Sequence, residues 1–279
     1  MYILRLHCKD KPGIVAAVAT SLSNSGCNIE ESSQFHDPHS NQFYMRVVFS
    51  TPNENNLSQF KDNIAALKET YALNWQICDN AQAVKALILV SQYDHCLNDL
   101  IYRWRTNNLP IEITAIVSNH ENVRKLVEDN NLPFHYLPIS KGNKQSQEKD
   151  VQRIIDDTQS ELIVMARYMQ ILSDEFCQYY KGRIINIHHS FLPGFKGARP
   201  YNQAYGRGVK IIGATAHFAT TDLDEGPIIA QDIETINHSY TAQKMQILGQ
   251  DTESRVLARA VDLYAQRRIF INGRRTIIL

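Results

Sequence analysis

The chain has 279 residues, enough for two hydrophobic cores, and its 29 Lys and Arg balance its 29 Asp and Glu at zero net charge. A neutral chain has no overall field drawing it to phosphate backbones or anionic bilayers, so nucleic acid is not an expected partner. The apolar share of 43% comes in short runs, none as long as the roughly 18 residues a membrane-spanning helix needs, so a soluble chain with no membrane partner is expected.

Met1-Tyr2-Ile3-Leu4-Arg5-Leu6-His7-Cys8 alternates as a strand does and lacks the basic, apolar and cleavage segments of a secretory signal. The five cysteines, Cys8, Cys27, Cys78, Cys96 and Cys177, are scattered, odd in number and without a C-x-x-C pair. Reduced, mostly buried thiols in a cytoplasmic protein are the expectation.

After the strand at 2–8, Asp10-Lys11-Pro12-Gly13 turns into a helix with Ile14, Val15, Val18 and Leu22 on one face, ended by Ser25-Gly26. Asn28–Gln34 and Gln42–Ser50 form a hairpin around Asp37–Asn41, and Leu57, Phe60, Ile64, Leu67 and Tyr71 mark a second amphipathic helix before a strand near 75–78. The order βαββαβ predicts a ferredoxin-like domain over residues 1–80. Asp10-x-Pro12-Gly13-Ile14-Val15 followed by Ser25-Gly26-Cys27-Asn28-Ile29 resembles the ACT domain, a regulatory module that often binds amino acids between paired copies. The resemblance implies an amino-acid effector, methionine or glycine, near Asp10, Gly13, Ile14 and Asn28, and a homo-oligomer built by symmetric pairing. An assembly domain that binds no ligand is the alternative reading.

Asp79-Asn80-Ala81-Gln82 is a polar joint, and a second domain is expected over residues 84–279. Strands at 85–91, 111–117, 133–137, 162–166 and 183–188 alternate with helices near 96–106, 121–130, 146–158 and 173–180. This is the pattern of an α/β, Rossmann-like domain with a mostly parallel sheet covered on both faces. Strands at 211–218 and 228–234, a long helix from about 241 to 266 and a strand pair at 269–279 complete it.

In an open parallel sheet ligands bind beyond the carboxyl ends of the strands. The strand ending at 188 carries Asn186-Ile187-His188 there, and period-2 alternation sets Asn186 and His188 on one side. Residues 190–200 mix turn formers with apolar residues, as a pocket wall would, and the 220–227 loop offers Asp222, Asp224 and Glu225 from a neighbouring strand. An amide, an imidazole and a carboxylate suit carbonyl chemistry.

Asn186-Ile187-His188-His189-Ser190-Phe191-Leu192-Pro193, Gly213-Ala214-Thr215-Ala216-His217-Phe218 and Leu223-Asp224-Glu225-Gly226-Pro227-Ile228-Ile229 together resemble the catalytic core of the folate-dependent formyltransferase family, with Asp224 following Asn186 by 38 positions. The resemblance implies Asn186, His188 and Asp224 as catalytic residues. Ala166–Ser173 is similar to that family's pterin-lining strand end, which implies Met169, Gln170, Ile171 and Leu172 as substrate-binding residues, joined by Thr220 and Thr221.

Within that family, transfer to a phosphorylated amine calls for a Gly-rich phosphate cradle after the domain's first strand. Here that turn reads Ser91-Gln92-Tyr93-Asp94-His95-Cys96-Leu97, without glycine and with an aspartate. The regulatory domain, the missing cradle and the His188–Phe195 version of the motif imply water as acceptor: hydrolysis of 10-formyltetrahydrofolate to formate and tetrahydrofolate, supplying formate for purine synthesis and balancing one-carbon pools. The implied roles are Asn186 and His188 as oxyanion donors, His188 or Asp224 as base, and no cofactor or metal. Transfer to an unphosphorylated amine, a non-catalytic folate or amino-acid sensor, and a zinc hydrolase using His188, His189, His217 and Asp224 are the alternatives. Against the last, the spacing is not that of a recognised zinc site, and adjacent His188 and His189 on a strand are expected to point to opposite faces.

Overall fold

A computed structural model describes residues 1–140, 142–192 and 200–279, Pro200 by its backbone alone. The pocket-wall segment expected at 190–200 therefore falls largely outside the described residues. Contacts divide the chain into two units, Met1–Ala83 with Gln266–Phe270 and Ile277–Leu279, and Val84–Ala265 with Ile271–Thr276. By contact, Gln266–Phe270 and Ile277–Leu279 group with the first unit and Ile271–Thr276 with the second.

The first unit contains β1 (Tyr2–Lys9), α1 (Ile14–Asn24), β2 (Asn28–Asp37), β3 (Gln42–Ser50), α2 (Glu54–Tyr71) and β4 (Asn74–Asp79). Its antiparallel sheet has the order β2-β3-β1-β4. Helix α1 begins at Gly13, whose φ of 93° is a left-handed conformation that glycine adopts without penalty. It buries Ile14, Val18 and Leu22 at helical spacing. Helix α2 is capped by Asn53, whose side chain accepts from the backbone N–H of Asn55 and Asn56, and it buries Leu57, Phe60 and Ile64. These residues close one core with Leu4, Leu6, Met45, Val47 and Phe49 from the sheet.

The second unit is laid out around a seven-stranded sheet of order β11-β10-β9-β8-β5-β6-β7. Its strands are β5 (Val84–Val90), β6 (Ile111–Ser118), β7 (Phe134–Tyr136), β8 (Leu162–Ala166), β9 (Ile184–His188), β10 (Ile211–Phe218) and β11 (Ile228–Thr235). Strands β5 to β9 pair in parallel, whereas β10 runs antiparallel to both β9 and β11. Helices α3 (His95–Arg105), α4 (Arg124–Asp129), α5 (Lys144–Thr158), α6 (Asp174–Tyr179) and α8 (Ala242–Ala265) follow the expected order. A further helix, α7 (Pro200–Arg207), stands just after the 190–200 segment, over residues for which no element was expected. It escapes notice because Gly206 and Gly208 flank Arg207 and the preceding residues are turn formers, so packing against α8 and not local propensity carries it. The strand pair is β12 (Ile269–Asn272) and β13 (Arg275–Ile278). Among the described residues no helix is long and apolar enough to cross a membrane.

Candidate active site

Strand β9 ends the parallel run, so the residues at its carboxyl end face the position where an open sheet receives ligands. Antiparallel β10 sets His217 opposite Asn186 and Thr215 opposite His188. The loop after β10 then brings Asp224 back over the pair. Its Oδ1 lies 3.3 Å from His188 Nδ1 and 3.7 Å from His217 Nε2. Asp224 has φ 57°, a left-handed conformation that Asp and Asn tolerate better than most residues.

His217, 2% exposed, turns Nδ1 to the carbonyl of Phe218 at 2.9 Å. A carbonyl only accepts, so that nitrogen carries a proton, and in the neutral ring Nε2 accepts from Asn186 Nδ2 at 3.2 Å. One amide hydrogen of Asn186 is thereby fixed and the other is left to point elsewhere. Burial acts to raise the pKa of Asp224, but its interaction with His188, joined by that with His217 when this ring carries its second proton, outweighs this and holds the carboxyl well below the usual carboxylate range. The site therefore presents an ionised carboxylate beside an imidazole and an oriented amide.

Behind His188, Thr215 Oγ1 donates to the Ser190 carbonyl at 3.0 Å and accepts from the N–H of Leu192 at 3.1 Å and from Gln231 at 2.9 Å. This fully buried hydroxyl pins the chain as it leaves β9. His189 is already off the strand, and its ring stacks on that of His188 with centroids 4.9 Å apart and 23° between planes. The expectation of opposite faces is corrected: strand alternation ends at His188, so it does not govern the next residue.

These groups open on a cavity of about 480 Å³, within the range of small-molecule sites. Of the expected substrate-binding residues, Met169, Gln170 and Ile171 line it with Asn186, His188 and Asp224. Leu172, Thr220 and Thr221 are not in its described lining: Leu172 packs against the buried core, Thr220 donates to the Asp222 carbonyl within its own loop, and Thr221 is exposed. The other acidic residues of that loop do not face the pair either, Asp222 being exposed and Glu225 bridging to Arg274 at 2.8 Å. In the first unit Asp10 approaches His36 at 3.8 Å, and exposed Asn28 donates to Glu30 at 3.1 Å. The side chain of Ile14 is buried in the core against the sheet.

Arg167, Glu253, Tyr201 and His95 form a network in and around the cavity that was not among the expected residues. Arg167 follows β8, donates from Nη1 to His189 Nδ1 at 2.6 Å and pairs with Glu253 at 3.2 Å. Glu253 also accepts from Tyr201 at 2.6 Å and faces His95 Nε2 at 2.8 Å. Burial opposes ionisation of Glu253, but His95, Arg167 and Tyr201 outweigh it and lower its pKa. Burial, joined by the same carboxylate, pushes the Tyr201 phenol up. Glu253 was legible as an anomaly, an acid on the buried face of α8 between Gly249 and Leu257. Its partners were not, since Tyr201 lies 52 positions away and His95 158. His95, Cys96 and Glu253 are a group of metal-ligand types with ligand atoms within 4.8 Å of one another. Its donor set does not suit a cation: Glu253 is already satisfied, the Arg167 charge is adjacent, and burial keeps the Cys96 thiol protonated.

The family model for Formyl transferase matches residues 84–261, and that for the ACT domain matches residues 2–69. A formyltetrahydrofolate deformylase of Corynebacterium sp. (strain P-1) is 41% identical over 100% of this chain and 98% of its own, and one of Bacillus subtilis (strain 168) is 43% identical over 99% and 92%. The chain belongs to the formyltetrahydrofolate deformylase family. A crystal structure of the family's member from Burkholderia mallei ATCC 23344 is 43% identical, covers 100% of this chain and 99% of that one, and has a TM-score of 0.95. Membership brings an ACT domain followed by a formyltransferase domain, the expected α/β architecture.

Proposed function

We propose that this chain is an enzyme that hydrolyses 10-formyltetrahydrofolate to formate and tetrahydrofolate, with Asn186, His188 and Asp224 as its catalytic residues. The observation that carries the reading is the convergence of an oriented amide, an imidazole and an ionised carboxylate in one cavity of a chain similar to deformylases over its full length. The formyl carbon, bonded to N10, is attacked by water. The free amide hydrogen of Asn186 and an imidazole N–H of His188 stabilise the oxyanion. Asp224 orients the attacking water, and the C–N bond breaks as a proton reaches N10, leaving formate and tetrahydrofolate. Either His188 or Asp224 takes the proton from water. No electrons are transferred, and the proposal includes no cofactor besides the folate substrate.

Met169, Gln170 and Ile171 are the proposed contacts of the pterin, at the mouth beyond β8. The reading includes a cytoplasmic location, a methionine or glycine effector at the ACT domain, and a homo-oligomer. Strand β2 supports assembly: it is an edge strand, and every residue in it except Ser33 and Asp37 is exposed, so its outer backbone groups are available to a second copy.

The test is to incubate the protein with 10-formyltetrahydrofolate and no amine. Equal release of formate and tetrahydrofolate, unchanged by a chelator and abolished by Asp224→Asn, is expected. Release that begins only when an amine is added would make the chain a transferase.

A further inference from the structure

The Arg167–Glu253 pair has no part in the chemistry above, yet three separate elements converge to hold it. Glu253 is 1% exposed, and a carboxylate so buried is strongly destabilising unless paired. Its partners are His95 at the start of α3, Tyr201 on α7, and Arg167 after β8. Tyr201 reaches it over Gly249, where a Cβ would lie 1.9 Å from the Tyr201 hydroxyl.

Arg167 itself is strained. Its φ of 63° is left-handed, a conformation that is costly for a non-glycine residue and persists only when the surroundings hold it. The turn aims the guanidinium so that one side meets Glu253 and the other meets His189 Nδ1 at 2.6 Å. A donor on Nδ1 fixes the orientation of the His189 ring, and that ring lies flat on His188. The contacts thus run without a break from Glu253 through Arg167 and His189 to His188 beside Asp224.

We propose that Glu253 and Arg167 are positioning residues, which hold His188 in its working orientation by clamping the His189 ring stacked against it. The proposal rests on the reading of His188 as catalytic. The simplest rival is direct substrate binding by the pair, because both residues also line the cavity. Positioning acts on the transition state and changes kcat, whereas a lost ground-state contact changes KM.

The experiment compares hydrolysis by Glu253→Gln and Arg167→Lys in the full chain, each alone and combined with His188→Ala. The glutamine amide of the first variant would turn donor hydrogens toward donors, and the lysine ammonium of the second cannot serve Glu253 and His189 together. Each single variant is expected to lower kcat by ~10–10²-fold, the scale of a misplacement of about 1 Å, with KM unchanged. In the His188→Ala background neither is expected to lower the residual rate further. A raised KM at full kcat, losses that multiply with His188→Ala, or a full-rate Arg167→Lys enzyme would each overturn the proposal. Should Glu253→Gln not fold, Arg167→Lys, which keeps the buried charge pair, carries the test. Full activity in His188→Ala alone would instead remove the catalytic reading underneath.

Discussion

The amide of Asn186 is held by His217, Nδ2 to Nε2 at 3.2 Å, while the other nitrogen of that imidazole donates to the Phe218 carbonyl. His217 therefore sets which way the Asn186 amide faces. Asn186→Ala, by removing the proposed oxyanion donor, is expected to cut kcat by ~10²–10³-fold. His217→Ala leaves the donor present but unheld, and a loss of ~10–10²-fold is expected. Steady-state kinetics of the double variant provide the check: its rate should equal that of Asn186→Ala, because the second change acts only through the first.

Asp224 gives a prediction in which activity and stability separate. Its depressed pKa means the folded state binds a proton less readily than the unfolded one. Its stabilising contribution is then fully present above the unfolded carboxylate pKa of ~3.9 and is lost as pH falls below it toward the lower folded value. Asn accepts the φ of 57° and leaves the loop intact. Asp224→Asn should abolish turnover with a folded protein, and its stability deficit in urea titrations should shrink as pH falls below ~3.9. A deficit independent of pH would mean that the carboxylate is not held by the two histidines.

Asn186 and His188 were legible in the residues alone, because period-2 alternation is enforced by the strand and because the strand's end marks the ligand side of a parallel sheet. Asp224 was legible only through the resemblance, since three acids share its loop and nothing local says that Asp222 and Glu225 turn outward. The face of His189 was not legible, because alternation stops where β9 stops. Helix α7 and the Tyr201–Glu253 contact were hidden, because both depend on packing between segments about fifty positions apart. Ile14 enters the effector set by its place in a motif, although its helical spacing with Val18 and Leu22 already marks it as core.

Tyr168 makes an alkaline prediction. Burial, with the Glu148 charge adding and the Gln147 hydrogen bond opposing, pushes its phenol up to about 12. The unfolded phenol ionises near pH ~10, so the contribution of the buried neutral phenol is fully present below that pH and lost as pH rises toward 12. Tyr168→Phe deprives Gln147 Nε2 of an acceptor at 2.9 Å and should cost ~1 kcal/mol at neutral pH. Denaturant midpoints of the two proteins should converge between pH 10 and 12. A constant gap would show that Tyr168 ionises as freely folded as unfolded.

Gly226 links the loop geometry to the chemistry. An added Cβ would lie 1.7 Å from the Phe218 carbonyl oxygen, a backbone atom that no rotamer change can move aside. That carbonyl anchors His217 Nδ1, and the Phe218 N–H donates to the Pro227 carbonyl at 2.9 Å, so one displacement disturbs both the imidazole beside Asn186 and the loop that returns Asp224. Overpacking of this kind typically costs ~1–3 kcal/mol. Gly226→Ala should therefore lower the thermal midpoint and reduce kcat together. Gly206→Ala is the control, since nothing lies within 4 Å of a Cβ there, its φ is ordinary, and alanine favours the helix by ~0.5–1 kcal/mol. If Gly226→Ala turned over at the rate of Gly206→Ala, the close crossing of Phe218 and Gly226 would have no hold on the site.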